Sequence, residues 1–202
     1  KPLPQEMLYP YPHPKSVGLI LDPKERATVL DVVPRSWADQ AGFRAGDRIQ
    51  TLAGQPLLSM EDVQWVLHQT RAAGDRVSAE VERDGRTLAL TLALPDGWRR
   101  QGDLTWRVSS WGLRRMTLGG LSLEPLSAED RARLRIPAGK LALRVKHVGQ
   151  YGAHAAAKNA GFQQGDVLVG FDGRTDFERE ADLFEHGMNA RRPGQKVTVA
   201  VV

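Results

Sequence analysis

Serine and histidine are the residue types in this chain that could carry nucleophilic catalysis, and neither lies in a catalytic context. Serine hydrolysis needs a serine on a sharp, glycine-bounded turn with a histidine positioned beside it. The segment Gly120-Leu121-Ser122-Leu123 approaches this pattern but lacks the second glycine. The chain contains no cysteine, which excludes thiol catalysis, disulfides and zinc-thiolate sites. We therefore predict that this chain is not an enzyme and contains no catalytic residue.

Metal and phosphate chemistry also lack their usual signatures. The five histidines show neither the His-Glu-x-x-His motif nor a pair at i,i+4 spacing, although His147 and His154 could approach His186 after folding. The pair Gly119-Gly120 is too short for a phosphate-binding loop, and no P-loop lysine follows it. We predict no metal site and no cofactor.

The composition is that of a soluble globular protein with a mixed surface. The 202 residues are 41% hydrophobic, and 28 basic against 24 acidic residues give a formal charge of +4. The apolar runs are only a few residues long, so we expect no membrane span. The chain starts at Lys1 with neither Met nor a signal-peptide pattern, which suggests a processed protein or an excised piece.

An internal repeat is the strongest signal in the sequence. The run Ala41-Gly42-Phe43, followed by Gly46-Asp47 and an apolar stretch, returns as Ala160-Gly161-Phe162, followed by Gly165-Asp166. Strand-like runs upstream and downstream of this core return as well. We therefore expect two copies of one folding unit to fill the chain.

Local patterns inside the repeat predict short helices and strands. Each Ala-Gly-Phe step suits a helix end, because its glycine tolerates a positive φ and its apolar residue can fold back over that end. Asp47 and Asp166 are predicted to accept backbone hydrogen bonds and to be structural rather than catalytic. Ser59 with Asp62 predicts a helix start. The segment Arg83-Asp84-Gly85-Arg86 predicts a hairpin.

The order of these elements resembles bacterial PDZ domains of the HtrA and tail-specific protease type. The Ala-Gly-Phe-x-x-Gly-Asp run of each copy carries the resemblance, together with residues 126–137 of the second copy. These last residues, with Ser127 and Asp130 as a capping pair, are similar to the helical insert that follows the first groove strand in HtrA-type domains. The resemblance implies a mainly β fold with short helices (α+β), built as two PDZ-like β-sandwich or partly open barrel domains in tandem.

The predicted domain boundaries follow from the repeat. Residues 1–14, with five prolines and two tyrosines, are expected to form an extended, polyproline-like segment. Residues 15–96 are predicted as the first PDZ-like domain, 97–103 as a linker and 104–202 as the second domain, truncated at its C-terminal hairpin. The run Leu104 to Val108 could instead supply the missing edge strand.

The resemblance also implies a mode of binding. PDZ-like domains add an extended peptide as a strand beside a groove helix, with alternate side chains in apolar pockets and the terminal carboxylate on N–H groups of a glycine loop. The implied peptide-binding residues are Val17, Gly18, Leu19, Ile20, Leu21, Met60, Val63, Gln64 and Leu67 in the first copy, and Gly119, Gly120, Leu121, Leu123, Ala181 and Phe184 in the second. Ordinary core packing explains each apolar member equally well. We expect the first groove to bind better, because Glu178, Glu180, Asp182 and Glu185 make the second helix acidic.

The segment 95–117 is rich in tryptophan and arginine. Basic residues between aromatic ones can bind single-stranded nucleic acid by phosphate contact and base stacking. Trp98, Trp106 and Trp111 more simply pack this segment onto the domains, with arginine stems over their rings. We therefore predict no nucleic-acid partner.

Three functions stay open. The first is a peptide-binding or scaffolding module for peptide or C-terminal segments of other proteins. The second is the regulatory, non-catalytic portion of a larger extracytoplasmic enzyme such as an HtrA-like protease, with its catalytic domain elsewhere in the full-length protein. The third is a structural tandem whose grooves are blocked. An extracytoplasmic location, periplasmic or secreted, is expected in each case.

Overall fold

The computed structural model describes residues 2–25, 27–105 and 110–202. These residues form two compact units, and each is described by itself. The N-terminal unit is Pro4–Asp103, and the C-terminal unit is Leu104–Val202 with residues 2–3. No helix among the described residues is long and apolar enough to cross a membrane.

The N-terminal unit consists of short helices and two antiparallel sheets. Its helices are α1 (Gln5–Leu8), α2 (Trp37–Ala41) and α3 (Met60–Gln69), its 3-10 turns are Pro14–Val17 and Trp98–Gln101, and its strands are β1 (Leu19–Leu21), β2 (Val29–Val32), β3 (Arg48–Leu52), β4 (Gln55–Pro56), β5 (Asp75–Arg83) and β6 (Arg86–Leu94). β1 and β2 form a two-stranded sheet, and the four-stranded sheet has the order β4-β3-β5-β6. α3 buries Val63, Val66 and Leu67 in the core between these sheets.

The local signals in the first copy produce the expected elements. α2 ends at Gly42, which has a φ of 89°, and buried Phe43 folds back with its N–H bonded to the Ala38 carbonyl. Asp62 accepts the Ser59 N–H at 2.9 Å and so starts α3. The β5–β6 hairpin turns at Asp84-Gly85, where both residues have positive φ.

Asp47 joins the end of α2 to the long hairpin. Its side chain is fully buried, at 0% exposure, and it accepts the Arg44 N–H at 2.8 Å. Its two oxygens also accept hydrogen bonds from Arg83 at 2.6 and 2.8 Å. Arg83 donates in addition to the Gly42 carbonyl at 2.8 Å. The predicted structural aspartate is therefore also half of an ion pair that the sequence did not indicate.

Arg99 is a buried cation that holds the C-terminal end of α3. Its guanidinium donates to the carbonyls of Leu67 at 3.2 Å and His68 at 2.6 Å. A further bond of 2.7 Å reaches the Thr70 carbonyl. The guanidinium also donates to the Tyr9 carbonyl at 3.2 Å. A cation at this end is favourable for the helix dipole, while burial lowers the pKa of the guanidinium from its ordinary value.

Both ends of the N-terminal unit differ from the expectation drawn from sequence. The segment 1–14, expected to be extended, contains the helix α1, and Tyr9 behind it is buried. Residues 97–103, predicted as a linker, belong to the N-terminal unit. The reason is Trp98, which is buried in the core and donates from its indole N–H to the Arg71 carbonyl at 2.9 Å.

Two other predictions fall on residues that the structure does not describe. Trp106 lies outside the described residues, as does most of the run Leu104 to Val108, which was the alternative source of an edge strand. Trp111 is described, and the Arg114 guanidinium lies 4.9 Å from its ring centre.

The C-terminal unit is built around one antiparallel sheet. Its helices are α4 (Ser110–Leu118), α5 (Ala128–Arg133), α6 (Ala156–Asn159) and α7 (Glu180–Ala190), its 3-10 turn is Gly152–His154, and its strands are β7 (Leu121–Pro125), β8 (Leu143–Val148), β9 (Val167–Phe171) and β10 (Val199–Val201). The sheet order is β10-β9-β8-β7. α5 is the helix expected from the resemblance, and the Ser127 hydroxyl accepts the Asp130 N–H at 3.0 Å.

Glycines with a left-handed backbone recur at corresponding places in the two units. The glycines before β1 and β7 have φ of 96° and 92°, and those that end α2 and α6 have φ of 89° and 98°. The pairs Gly46/Gly165, Gly54/Gly173 and Gly74/Gly194 follow in the same order, all with positive φ. The two units thus have left-handed glycines in the same order along the chain, and the repeat of one domain stays a prediction.

An ionic cluster joins the turn after β9 to the end of α7. Asp172 accepts a hydrogen bond from Arg191 Nε at 2.7 Å, and His186 Nε2 lies 2.6 Å from the same carboxylate. A second Arg191 nitrogen contacts its other oxygen. Arg191 first, and His186 second, lower the pKa of Asp172 from 3.8 to about 2.

We predict that Asp47→Ala lowers the free energy of unfolding of the N-terminal unit much more than the matching Asp166→Ala lowers that of the C-terminal unit. Removing Asp47 leaves Arg83 without its carboxylate, and breaking a mostly buried pair costs about 3–5 kcal/mol. Asp166 accepts the Gln163 N–H at 2.9 Å and is less buried, so its loss costs about 1 kcal/mol. Urea unfolding followed by circular dichroism measures both. Equal losses in the two variants contradict the role of the Asp47–Arg83 pair.

We predict that Asp172 makes the C-terminal unit sensitive to acid. Because its pKa is lower in the folded protein, its stabilisation is fully present above about pH 4 and is lost as the pH falls toward 2. Asp172→Asn should therefore be less stable than wild type at pH 6 but lose less stability between pH 4 and 2. Urea midpoints at these pH values test this, with the exposed Glu25→Gln as control. An unchanged slope in Asp172→Asn overturns the prediction.

Candidate functional site

The outer edge of β1 carries backbone groups that β2 does not use. β1 pairs with β2 through Leu19–Val32, Ile20–Asp31 and Leu21–Val29. The Gly18 carbonyl accepts the Val33 N–H and the Asp22 N–H donates to Thr28, so the alternate residues on this strand face β2. The N–H and C=O groups of Leu19 and Leu21 consequently point to the other side, as alternation in an antiparallel pair requires. An extended segment could pair there.

The helix α3 provides the wall next to this edge. It contacts the 3-10 turn Pro14–Val17, which leads directly into β1. Val63 and Leu67 are fully buried and face the core, whereas Met60 is 38% exposed and Gln64 is half-buried. Met60 and Gln64 are thus the predicted helix residues whose side chains a ligand can reach.

The remaining predicted residues of the first groove divide by burial. Val17 and Leu19 are fully buried side chains of the core, while Ile20 and Leu21 are half-buried. Gly18 is buried as well, and its N–H already donates to the Lys15 carbonyl at 3.0 Å. The expected cradle of loop amides for a carboxylate is therefore reduced at Gly18, because that amide is bonded within the turn.

Residues of the N-terminal segment, which the sequence did not assign to the site, lie on α3. The Tyr11 ring stacks on the His68 ring with 4.2 Å between centres, and the Tyr11 N–H donates to His68 Nδ1 at 3.4 Å. Gln64 donates to the Tyr11 carbonyl at 3.5 Å. The tyrosines between the prolines are the signal that this segment packs on the protein. It adjoins the groove helix next to a predicted groove residue.

β7 presents the same kind of edge in the C-terminal unit. It is the last strand of its sheet, and among the described residues only β8 pairs with it. The Gly120 carbonyl accepts the Gly149 N–H and the Leu126 N–H donates to Ala142, so Leu121 and Leu123 direct their backbone groups outward. The Leu123 N–H is occupied: it donates to Glu180 Oε1 at 2.8 Å.

Glu180 is held in this position by Arg114 of α4. Arg114 Nε lies 3.0 Å from Glu180 Oε1, and Nη2 lies 2.7 Å from Oε2, which makes a two-bond ion pair. The side chains of Arg114 and Glu180 are only 6% and 2% exposed. Arg114 also donates to the Ser110 hydroxyl at 2.8 Å and to the Thr105 carbonyl at 3.1 Å. Both charges are therefore compensated by several hydrogen bonds.

The other predicted residues of the second groove are also enclosed. Leu121, Leu123, Ala181 and Phe184 are all core side chains. Gly120 donates its N–H to the Arg114 carbonyl at 2.9 Å, and the Gly119 carbonyl accepts the Ala157 N–H at 2.9 Å. Of the acidic residues expected to line this helix, Glu180 points inward and Asp182 binds Arg179 at 2.9 Å. The structure thus brings the predicted residues together without an open surface between them.

No group of three or more His, Cys, Asp or Glu side chains in residues 2–25, 27–105 and 110–202 could hold a metal ion. His186, which was considered as a ligand together with His147 and His154, instead lies against Asp172. The His147 ring packs on the edge of Trp111, with 5.6 Å between centres. The described residues therefore offer two strand edges beside helices. At β1 the half-buried Ile20 and Leu21 lie on the strand and the exposed Met60 on the helix, whereas at β7 the Leu123 N–H is bonded to a side chain.

Comparison with known proteins shows that residues 13–94, in the N-terminal unit, match the PDZ domain family. The chain is 29% identical over 152 residues to a DegP-like periplasmic serine endoprotease of Pseudomonas savastanoi pv. phaseolicola, covering 74% of this chain and 29% of that protein. It is 26% identical over 150 residues to the periplasmic serine endoprotease DegP of Salmonella typhimurium, covering 74% of this chain and 27% of DegP. Regulator of sigma-E protease RseP of Escherichia coli is 39% identical over 70 residues, which cover 35% of this chain and 15% of RseP.

The chain spans less than a third of the length of each of these relatives. The similarity therefore covers one region of each relative and not the rest of its length.

We predict that Gly18→Ala and Gly120→Ala both destabilise the protein, the first through a clash with a side chain and the second through a clash with backbone. A second substitution, Ser36→Gly, distinguishes the two causes. Both positions have positive φ, which costs an alanine about 1–3 kcal/mol. A Cβ at Gly18 would lie 2.0 Å from the Ser36 hydroxyl, but one at Gly120 would lie 1.9 Å from the backbone carbonyl of His154. Adding Ser36→Gly should recover part of the stability lost in Gly18→Ala. No single side-chain replacement should relieve Gly120→Ala, because the clash there is with backbone.

Thermal unfolding of the three variants checks this prediction. Gly120→Ala should be the least stable of them. A Gly18→Ala variant that Ser36→Gly leaves unimproved would show that the close approach to Ser36 is not what requires this glycine.

Proposed function

We propose that the N-terminal unit binds extended peptide segments of other proteins by adding them as a strand to β1. The observation that carries this proposal is the outward orientation of the Leu19 and Leu21 backbone groups beside the accessible Met60, inside the residues that match the PDZ domain. Main-chain hydrogen bonds supply affinity in this mode, and pockets for alternate side chains supply specificity. The groove therefore accepts varied sequences.

The side chains around this edge favour apolar residues in the ligand. Ile20 and Leu21 are half-buried on the strand, and Met60 offers an adaptable thioether surface on the helix. Leu19 and Leu67 form the apolar floor beneath them. A ligand with a free C-terminus can place its carboxylate at the start of β1, where the outward N–H groups begin with Leu19.

We further propose that residues 104–202 form a second PDZ-like domain in tandem with the first. The alignment to the DegP-like relative covers 152 residues and so extends beyond the N-terminal unit. The paired left-handed glycines and the same strand-edge orientation in β1 and β7 support this assignment. Its role in binding is secondary to that of the first domain, because its strand edge is occupied.

A second candidate function is the regulatory portion of a larger extracytoplasmic enzyme. The similarity to periplasmic serine endoproteases over 74% of this chain favours it. In that arrangement the N-terminal groove presents or senses peptides for a catalytic domain elsewhere in the polypeptide. The sequence of the complete gene decides this: an upstream protease domain with a secretion signal supports it, and an open reading frame without a protease domain contradicts it.

We predict that Met60→Glu weakens peptide binding at least about tenfold, equivalent to about 1.4 kcal/mol. Met60 is the first residue of α3, as Glu180 is of α7, so the new carboxylate can accept the outward Leu21 N–H and compete with the ligand. The ligand is a fluorescein-labelled peptide with the sequence Ser-Gly-Ser-Val-Thr-Leu-Val and a free C-terminus. Fluorescence anisotropy measures its affinity, and amide chemical shifts locate its site.

Two controls accompany this measurement. Met60→Gln has nearly the same length without the charge, and Trp65→Ala removes an exposed side chain from another face of the same helix. Met60→Gln should bind the peptide more tightly than Met60→Glu, and Trp65→Ala should bind it as wild type does. Peptide-induced shifts that avoid Leu19–Leu21, or equal affinity in Met60→Glu and Met60→Gln, contradict the proposed site. The C-terminally amidated peptide separates carboxylate recognition from strand pairing alone.

A further inference from the structure

We infer that the C-terminal unit carries a built-in occupant of its own groove, in which Glu180 and α4 take the place of an added strand at β7. This inference rests on the proposed strand-addition function and concerns the other domain. It assigns to Arg114 and Glu180 an autoinhibitory contact that keeps the second groove closed. The comparisons do not address this contact.

The Leu123 N–H on the outer edge of β7 already has a hydrogen-bond partner. A strand that pairs with the outer edge of β7 must accept this N–H with a backbone carbonyl. Glu180 Oε1 already accepts it at 2.8 Å. A carboxylate is a stronger acceptor than the neutral carbonyl of a peptide, so a ligand has to displace a better partner.

Helix α4 contacts both β7 and α7, which border the second groove. Near its end, Thr117 packs so closely on α7 that a Cβ added to Gly187 would come within 2.9 Å of the Thr117 side chain. One turn earlier, Arg114 reaches Glu180 at the other end of α7. The helix is therefore packed against α7 near both ends of α7, through Thr117 at Gly187 and Arg114 at Glu180.

The N-terminal unit differs from the C-terminal unit in the segment before the glycine and in the first residue of the helix beside the strand edge. There the segment before the glycine is the 3-10 turn Pro14–Val17, and the first residue of α3 is the neutral, accessible Met60. In the C-terminal unit a nine-residue helix precedes the glycines, and the first residue of α7 is the buried Glu180. Both differences contribute to one ion pair, since α4 supplies Arg114 and α7 supplies Glu180. The same order of elements therefore gives an open groove in one unit and a closed groove in the other.

The test removes both charges together. Arg114→Met with Glu180→Leu replaces the pair by apolar side chains of similar volume, a change that buried pairs often tolerate, and it frees the Leu123 N–H. Combined with Met60→Glu, which closes the N-terminal groove, this variant should bind the Ser-Gly-Ser-Val-Thr-Leu-Val peptide at Leu121–Leu123. We expect at least a tenfold gain in affinity over Met60→Glu alone. Glu178→Gln, which removes an exposed charge two residues from Glu180, should produce no gain.

The possible outcomes are distinct. Peptide-induced shifts at Leu121–Leu123 in the wild-type chain overturn the inference, as does a folded charge-free variant that gains no binding there. Failure of the wild-type chain to bind the peptide at Leu19–Leu21 rejects the proposed function instead. If the charge-free variant does not fold, amide exchange decides. The wild-type Leu123 amide should then exchange more slowly than that of Leu21, and equal or faster exchange overturns the inference.

Discussion

The constraint on which both units depend is the unpaired side of an edge strand. A strand with one neighbour leaves every second N–H and C=O without a partner in the sheet, and each of these groups needs water, a ligand or a side chain. β1 leaves the outward groups of Leu21 beside the exposed Met60. β7 satisfies its Leu123 N–H with Glu180. The two units therefore differ in the first residue of the helix beside the edge, which is Met60 in α3 and Glu180 in α7.

Burying a carboxylate and a guanidinium is costly unless both are fully hydrogen-bonded. The C-terminal unit meets this condition with the paired bonds between Arg114 and Glu180 and with further bonds to Ser110, Thr105 and Leu123. The network consequently fixes α4 as well as the strand edge. Its members depend on one another, so the loss of one is more damaging than the joint replacement of the central pair.

Local signals in the sequence predicted much of the fold, because glycine turns, caps and the hairpin each depend on a few neighbouring residues. The helix end at Gly42 and the start at Ser59 are of this kind. The sequence predicts Glu180, together with Glu178 and Asp182, as part of an acidic helix that faces the second groove. Its partner Arg114 is far away in the sequence, and no local pattern connects them. The buried positions of Arg99 and Trp98 could not be predicted from the sequence for the same reason. The peptide-binding residues stay a prediction.

The position of Arg99 determines how the peptide-binding domain can be moved to another protein. Its guanidinium joins the last carbonyls of α3 to the carbonyl of Tyr9, so residues from both termini of the unit close over one helix end. A fragment cut at residues 15 and 96 would lose Tyr9, Trp98 and Arg99 and leave that helix end to fray. A transplantable version therefore has to be cut outside residues 4 and 103, so that Tyr9, Trp98 and Arg99 all remain with α3.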